Sequence, residues 1–105
     1  MIYHVAFFKL KPETEPERLE SIQRQTRSQL LKIPETLAVR AGRNLDPDSP
    51  YQFFYSIECE SRLKLQMLQN DAFYTHFISS VVEPNTLEKI ENTYELEPGK
   101  DLKYS

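Results

Sequence analysis

The sequence is poor in cysteine, glycine and tryptophan. One cysteine, Cys59, among 105 residues excludes an internal disulfide framework and any cysteine-based metal cluster. Gly42 and Gly99 are the only glycines, which excludes the glycine-rich phosphate loops of dinucleotide and nucleoside-triphosphate sites. A Gly-x-Ser-x-Gly elbow is missing, so a serine nucleophile of that type has no candidate. No apolar run approaches a membrane span, and the N-terminus lacks a charged-then-apolar leader pattern. A cytoplasmic chain with no membrane partner is expected. Positive charge is not in excess either. A formal net charge of -3 and a pI near 5.4 argue against nucleic acid as a partner.

What is present suits one soluble domain. Hydrophobic residues make up 39% and charged residues 28%, which rules out wholesale disorder. At this length roughly two-thirds of the unfolded surface can be buried, so a real but small core is possible. The six tyrosines and six phenylalanines are unevenly spread. Tyr3, Phe7 and Phe8 fall in one stretch, and Tyr51, Phe53, Phe54 and Tyr55 in another. Prolines at 12, 16, 34, 47, 50, 84 and 98 punctuate the chain.

Residues 2–10 read as a strand, closed by Pro12 and apolar on both faces. Ile2, Ala6, Phe8 and Leu10 share one face, and Tyr3, Val5 and Phe7 the other. Residues 14–33 read as a helix. Thr14 and Glu17 have capping-box spacing, Leu19, Ile22, Thr26, Leu30 and Ile33 form its stripe, and Pro34 ends it. Residues 37–44 and 51–59 read as strands around the Asp46–Pro50 turn. Ser61 caps a short helix reaching about residue 69. Asn70 and Asp71 cap another, with Phe73, Phe77 and Val81 one turn apart. Residues 87–96 form a last strand with Ile90, Tyr94 and Leu96 on one face. The expected domain is 1–97, and 98–105 is a polar tail on the surface or reaching to a neighbour.

The order β-α-β-β-α-α-β is the split βαβ pattern of an α+β ferredoxin-like sandwich, a four-stranded antiparallel sheet with helices on one face. The other face then carries Tyr3, Val5, Phe7 and Phe54. A patch that large marks an interface, and a sheet-on-sheet homodimer is the simplest cover for it.

Several segments resemble the stress-responsive A/B barrel, or dimeric α/β barrel, family. The opening Met-Ile-Tyr-His-Val-Ala-Phe-Phe-Lys-Leu-Lys-Pro-Glu is similar to that family's first strand. Ala41-Gly42-Arg43-Asn44-Leu45 resembles its second strand, and Glu58-Cys59-Glu60-Ser61, followed by Leu65 and Leu68, its third strand entering a helix. The resemblance covers about residues 2–96. It implies a homodimer whose sheets form a barrel, with a helix–sheet cleft in each subunit. Family members that cyclise polyketides carry His-Pro-x-His at the start of the third helix, with an assisting Tyr six residues before the catalytic His. Here that motif falls on Asp71-Ala72-Phe73-Tyr74, so Tyr74 replaces the base and Leu68 the assisting Tyr. A phenol of pKa near 10 is a poor base at neutral pH.

The resemblance turns His4 towards the cleft, where it is either a pocket group or a buried histidine fixing strand to helix. Tyr74 either orients a ligand or fills the pocket mouth. His76 reads as a surface residue because Phe73 and Phe77 take the inward stripe, and no metal set is expected. Arg40 and Arg43 lie on opposite faces of their strand, as edge charges. Cys59 reads as an inert buried thiol, and Glu91, Glu95 and Glu97 as a solvated strand face. The function expected is a homodimer binding a small apolar or aromatic molecule in a cleft of His4, Thr26, Phe53, Leu68 and Tyr74, without cofactor. The alternatives are a cofactor-free cyclase, isomerase or monooxygenase, and a structural stress protein whose dimer is the working unit.

Overall fold

The computed structural model describes residues 1–97, and the polar tail expected at 98–105 lies outside them. Four strands, β1 (Ile2–Leu10), β2 (Ala38–Arg43), β3 (Phe53–Cys59) and β4 (Thr86–Glu95), form one antiparallel sheet in the order β2-β3-β1-β4. The ferredoxin-like α+β sandwich is therefore the fold. Helices α1 (Pro16–Leu30), α2 (Arg62–Gln69), α3 (Ala72–Phe77) and the single turn α4 (Glu83–Asn85) complete the chain order. No helix is long and apolar enough to cross a membrane among the described residues.

The α1 start corrects the capping-box expectation. Glu15, not Thr14, is the N-cap, and no side chain caps the helix. Pro16 at N1 explains the shift, because it disfavours the helical region at the residue before it. Glu15 accordingly sits extended at φ -82°, ψ 158°. The helix also stops before residue 33. Lys32 and Ile33 donate to carbonyls three residues back, and Thr36 Oγ1 donates to the Leu30 carbonyl at 2.9 Å. The caps of α2 and α3 form as expected: Ser61 accepts from Lys64 N at 3.2 Å and Asp71 from Phe73 N at 2.8 Å.

Beyond α3 the chain widens into a π-turn over Ile78–Val82 before α4. A proline at 84 would meet the Ser80 carbonyl in a regular α-helix, and the wider turn avoids that clash. The result buries Phe77, Val81 and Val82 together, while Phe73 is 43% exposed. The inward stripe is thus Tyr74, Phe77 and Val81, not Phe73, whose ring has Lys32 Nζ 5.6 Å from its centroid.

The core lies between the helices and one sheet face. Phe8 stacks on Phe53 at 5.5 Å and on Tyr55 at 5.4 Å, and Tyr55 meets the edge of Phe77 at 5.7 Å. Among the described residues the opposite sheet face carries no helix. Cross-strand register places Phe7 between Phe54 and Ile90, and Tyr3 between Glu58 and Tyr94. Val5 and Phe54 share this face. Gly42 pairs with Phe54, and a Cβ there would stand 2.8 Å from Phe54 Cε1. Gly42→Ala therefore has to swing the ring off β2. The expected loss in urea denaturation is about 1 kcal/mol, low for overpacking because the ring borders open space. An unchanged midpoint would mean that the ring moves freely. Two residues on, Asn44 closes the β2–β3 loop by accepting from Asp46 N and donating to the Tyr51 carbonyl.

Candidate functional site

The helix side of β4 is polar. Lys89, Glu91 and Thr93 point the same way as Phe8, Ala6 and His4, their partners on β1. The short α2 and α3 leave two shallow depressions over these residues, which meet at Gln69. One, of about 420 Å³, is lined by Gln69, Tyr74, Thr75, Ile78, Glu83, Lys89 and Glu91. The other, of about 490 Å³, is lined by Arg62, Leu63, Leu65, Gln66, Gln69 and Thr93.

His4 lies beneath both. It is only 3% exposed, and its Nδ1 is 2.8 Å from Thr93 Oγ1. Its Nε2 is buried, has no hydrogen-bond partner among the described residues, and is 3.9 Å from Glu91 Oε1. That distance is an electrostatic contact rather than a hydrogen bond. The arrangement that suits both ring nitrogens has Thr93 Oγ1–H donating to Nδ1 and Nε2–H directed at the carboxylate. Lys89 Nζ approaches the same Oε1 at 3.5 Å.

His4 holds the Glu91 carboxyl below the usual carboxylate range, Lys89 adds to this, and partial burial opposes it. The stability so gained is present above the ordinary glutamate range and lost as pH falls through the depressed native value. The Glu91→Gln variant lacks this dependence. Between pH about 6 and pH about 3, wild type is expected to lose more unfolding free energy than the variant. Parallel losses in urea titrations would contradict the pairing.

Tyr74 forms the inner wall of the first depression. It is 7% exposed, and its hydroxyl lies 3.1 Å from the Tyr55 hydroxyl. Burial pushes both phenols up, Tyr55 furthest, so both stay neutral at neutral pH. Tyr74 is therefore a hydrogen-bonding group rather than a base.

Tyr74 thus lines the first depression, and His4 lies buried behind its wall. Thr26, Phe53 and Leu68 do not reach the depression. Thr26 is buried, with its hydroxyl donating to the Ile22 carbonyl at 2.7 Å. Leu68 is fully buried, and the gap beside Phe53, Phe8 and Ile22 has no room for a water molecule. Glu91 is exposed, as expected of that strand face, but its carboxylate also stands beside His4. Thr93, Gln69 and Lys89 join it as residues that sequence reasoning missed. The alternation of β4 carries the signal for Lys89 and Thr93, although its polar side reads as solvated, and Gln69 lies on α2, where no local pattern marks it. His76 is exposed on α3. Cys59 is buried, and burial pushes its thiol up, away from the reactive thiolate. Among the described residues no group of three or more His, Cys, Asp or Glu side chains is placed to hold a metal ion.

A family model described as Stress responsive A/B Barrel Domain matches residues 2–92. No curated protein matches the chain. Solved structures do. A Dabb-family protein with a ferredoxin-like fold from Mesorhizobium loti is 18% identical with a TM-score of 0.80, covering 91% of this chain and 96% of its own. A dimeric ferredoxin-like protein of unknown function from Thermobifida fusca is 16% identical with a TM-score of 0.80, covering 90% of each. A hydroxynitrile lyase from Passiflora edulis is 13% identical with a TM-score of 0.80, covering 94% and 95%. At these identities the likeness is one of fold.

Proposed function

Because the chain belongs to the stress responsive A/B barrel domain family, we propose that it is a homodimer holding a small molecule in each subunit's cleft between β4 and α2–α3. The ligand has an apolar or aromatic body and one polar handle. The observation that carries this reading is the buried His4, set under a solvent-open depression with Glu91 and Tyr74 on its wall. Buried polar groups converging on a concave surface are what ligand sites require.

The dimer rests on the helix-free sheet face. Phe7, Ile90 and Tyr94 are 38%, 43% and 53% exposed there, beside Tyr3, Val5 and Phe54. The Thermobifida fusca structure of the same fold is described as dimeric. A self-complementary two-fold contact through this face covers the patch with the patch.

The test is a thermal-shift titration with small aromatic alcohols and ketones. A saturable rise in melting temperature that is diminished by Tyr74→Phe supports the reading. No rise across the series contradicts it.

A second reading, a cofactor-free enzyme, is favoured by the His4–Glu91 couple and by the lyase among the fold relatives. It predicts turnover that His4→Ala abolishes without unfolding the protein. Polyketide cyclisation is not the expected reaction, because Tyr74 stays protonated and Leu68 offers no hydroxyl. A linear polyketide thioester is expected to give product only at the background rate. Turnover well above background that survives both Tyr74→Phe and His4→Ala would place the catalytic group elsewhere.

A further inference from the structure

His4 does not itself reach the cleft. Its unpartnered Nε2 is closed off from solvent. A molecule in the first depression meets Glu91 before it meets the imidazole. Within Glu91 the two oxygens differ. Oε1 faces both His4 Nε2 at 3.9 Å and Lys89 Nζ at 3.5 Å. Among the described residues, Oε2 takes part in no ion pair or hydrogen bond. On the other side, the Tyr74 hydroxyl already shares a hydrogen bond with Tyr55.

We propose that Glu91, not His4, is the group that meets the ligand, and that the ligand's polar handle is an O–H or N–H donor bound by Glu91 Oε2. This rests on the reading of the β4 depression as a ligand site. His4 is then a positioning residue. Thr93 holds its Nδ1, and its Nε2 side fixes one carboxylate oxygen so that the other is presented outward. A carboxylate is acceptor-only, so it selects donors and repels carboxylate or phosphate handles. The charged and titratable groups around it are His4 on β1, Tyr55 on β3, Tyr74 on α3, Glu83 on α4 and Lys89 on β4. Of these, His4 and Lys89 favour the ionised carboxyl. It therefore binds the donor without taking its proton, which separates this role from general-base catalysis.

The experiment is chemical-shift mapping of the full chain with phenol, anisole and benzoate as probes. Phenol is expected to shift the signals of Tyr74, Thr75 and Glu91 saturably. Anisole, the same ring without the O–H, is expected to bind at least about tenfold more weakly, and benzoate more weakly than phenol. Glu91→Gln is expected to weaken phenol about tenfold and leave anisole unchanged. Equal binding of phenol and anisole, or an unchanged phenol affinity in Glu91→Gln, overturns the assignment while leaving the ligand site standing. No shift at these residues with any probe overturns the ligand site itself, and this inference with it. For His4, the readout is the Glu91 side-chain carboxyl titration. His4→Gln is expected to move it up towards the ordinary value. If that variant fails to fold, Thr93→Val tests the same support by removing the hydrogen bond to Nδ1. A titration unchanged in the folded variant overturns the positioning role.

Discussion

Replacing Phe7 with Asp is expected to convert the protein from a dimer to a monomer in sedimentation velocity at micromolar concentration. Phe7 sits mid-strand on the helix-free face, with its ring 6.3 Å from Phe54 and its cross-strand neighbour Ile90 on the other side. A two-fold interface carries each substitution twice. Burying an unpaired carboxylate there costs at least about 3 kcal/mol, which is over a hundredfold in the dissociation constant. The folded-state circular dichroism of the variant shows whether the subunit survives alone. A dimer as tight as wild type would mean that the apolar face serves another purpose.

The second large effect separates two phenylalanines one helical turn apart. Phe77→Ala is expected to cost about 3–5 kcal/mol in urea unfolding, because a fully buried ring is removed. Phe77 also braces Tyr55, the partner of the Tyr74 hydroxyl. Phe73→Ala is expected to stay within about 0.5 kcal/mol, as an exposed substitution whose one cation–π contact is weak. Equal costs for the two would mean that α3 is rotated from the orientation described.

These two residues also mark where sequence reasoning stops. The spacing of Phe73, Phe77 and Val81 is helical, but so is that of Tyr74, Phe77 and Val81. Which stripe turns inward depends on how α3 meets α1 and on the π-turn before Pro84, and neither is local. By contrast, β1, the α2 cap at Ser61 and the α3 cap at Asp71 were legible because they depend on adjacent residues. The capping box at Thr14 failed for a local reason that was also present, Pro16.

The candidate site was half legible. His4 and Tyr74 stand out as residue types, but β1 is apolar on both faces, and only the family resemblance turns His4 to the helix side. Glu91 and Thr93 were not, because their role exists only through the β1–β4 register, which sets His4 opposite Thr93 and Ala6 opposite Glu91. On β4 the usual assumption of apolar inside and polar outside is inverted. Ile90 and Tyr94 turn to the open sheet face, and Lys89, Glu91 and Thr93 turn to the helices. The apolar side of β4 is thus the side without helices.

Native mass spectrometry of the untagged protein, purified from its own cells, tests the central claim most directly, since it reads assembly and occupancy together. The account predicts a mass of two chains plus a discrete small-molecule adduct in up to two copies, lost on mild activation. A charge-state series of bare single chains at micromolar concentration would contradict both the dimer and the occupied cleft.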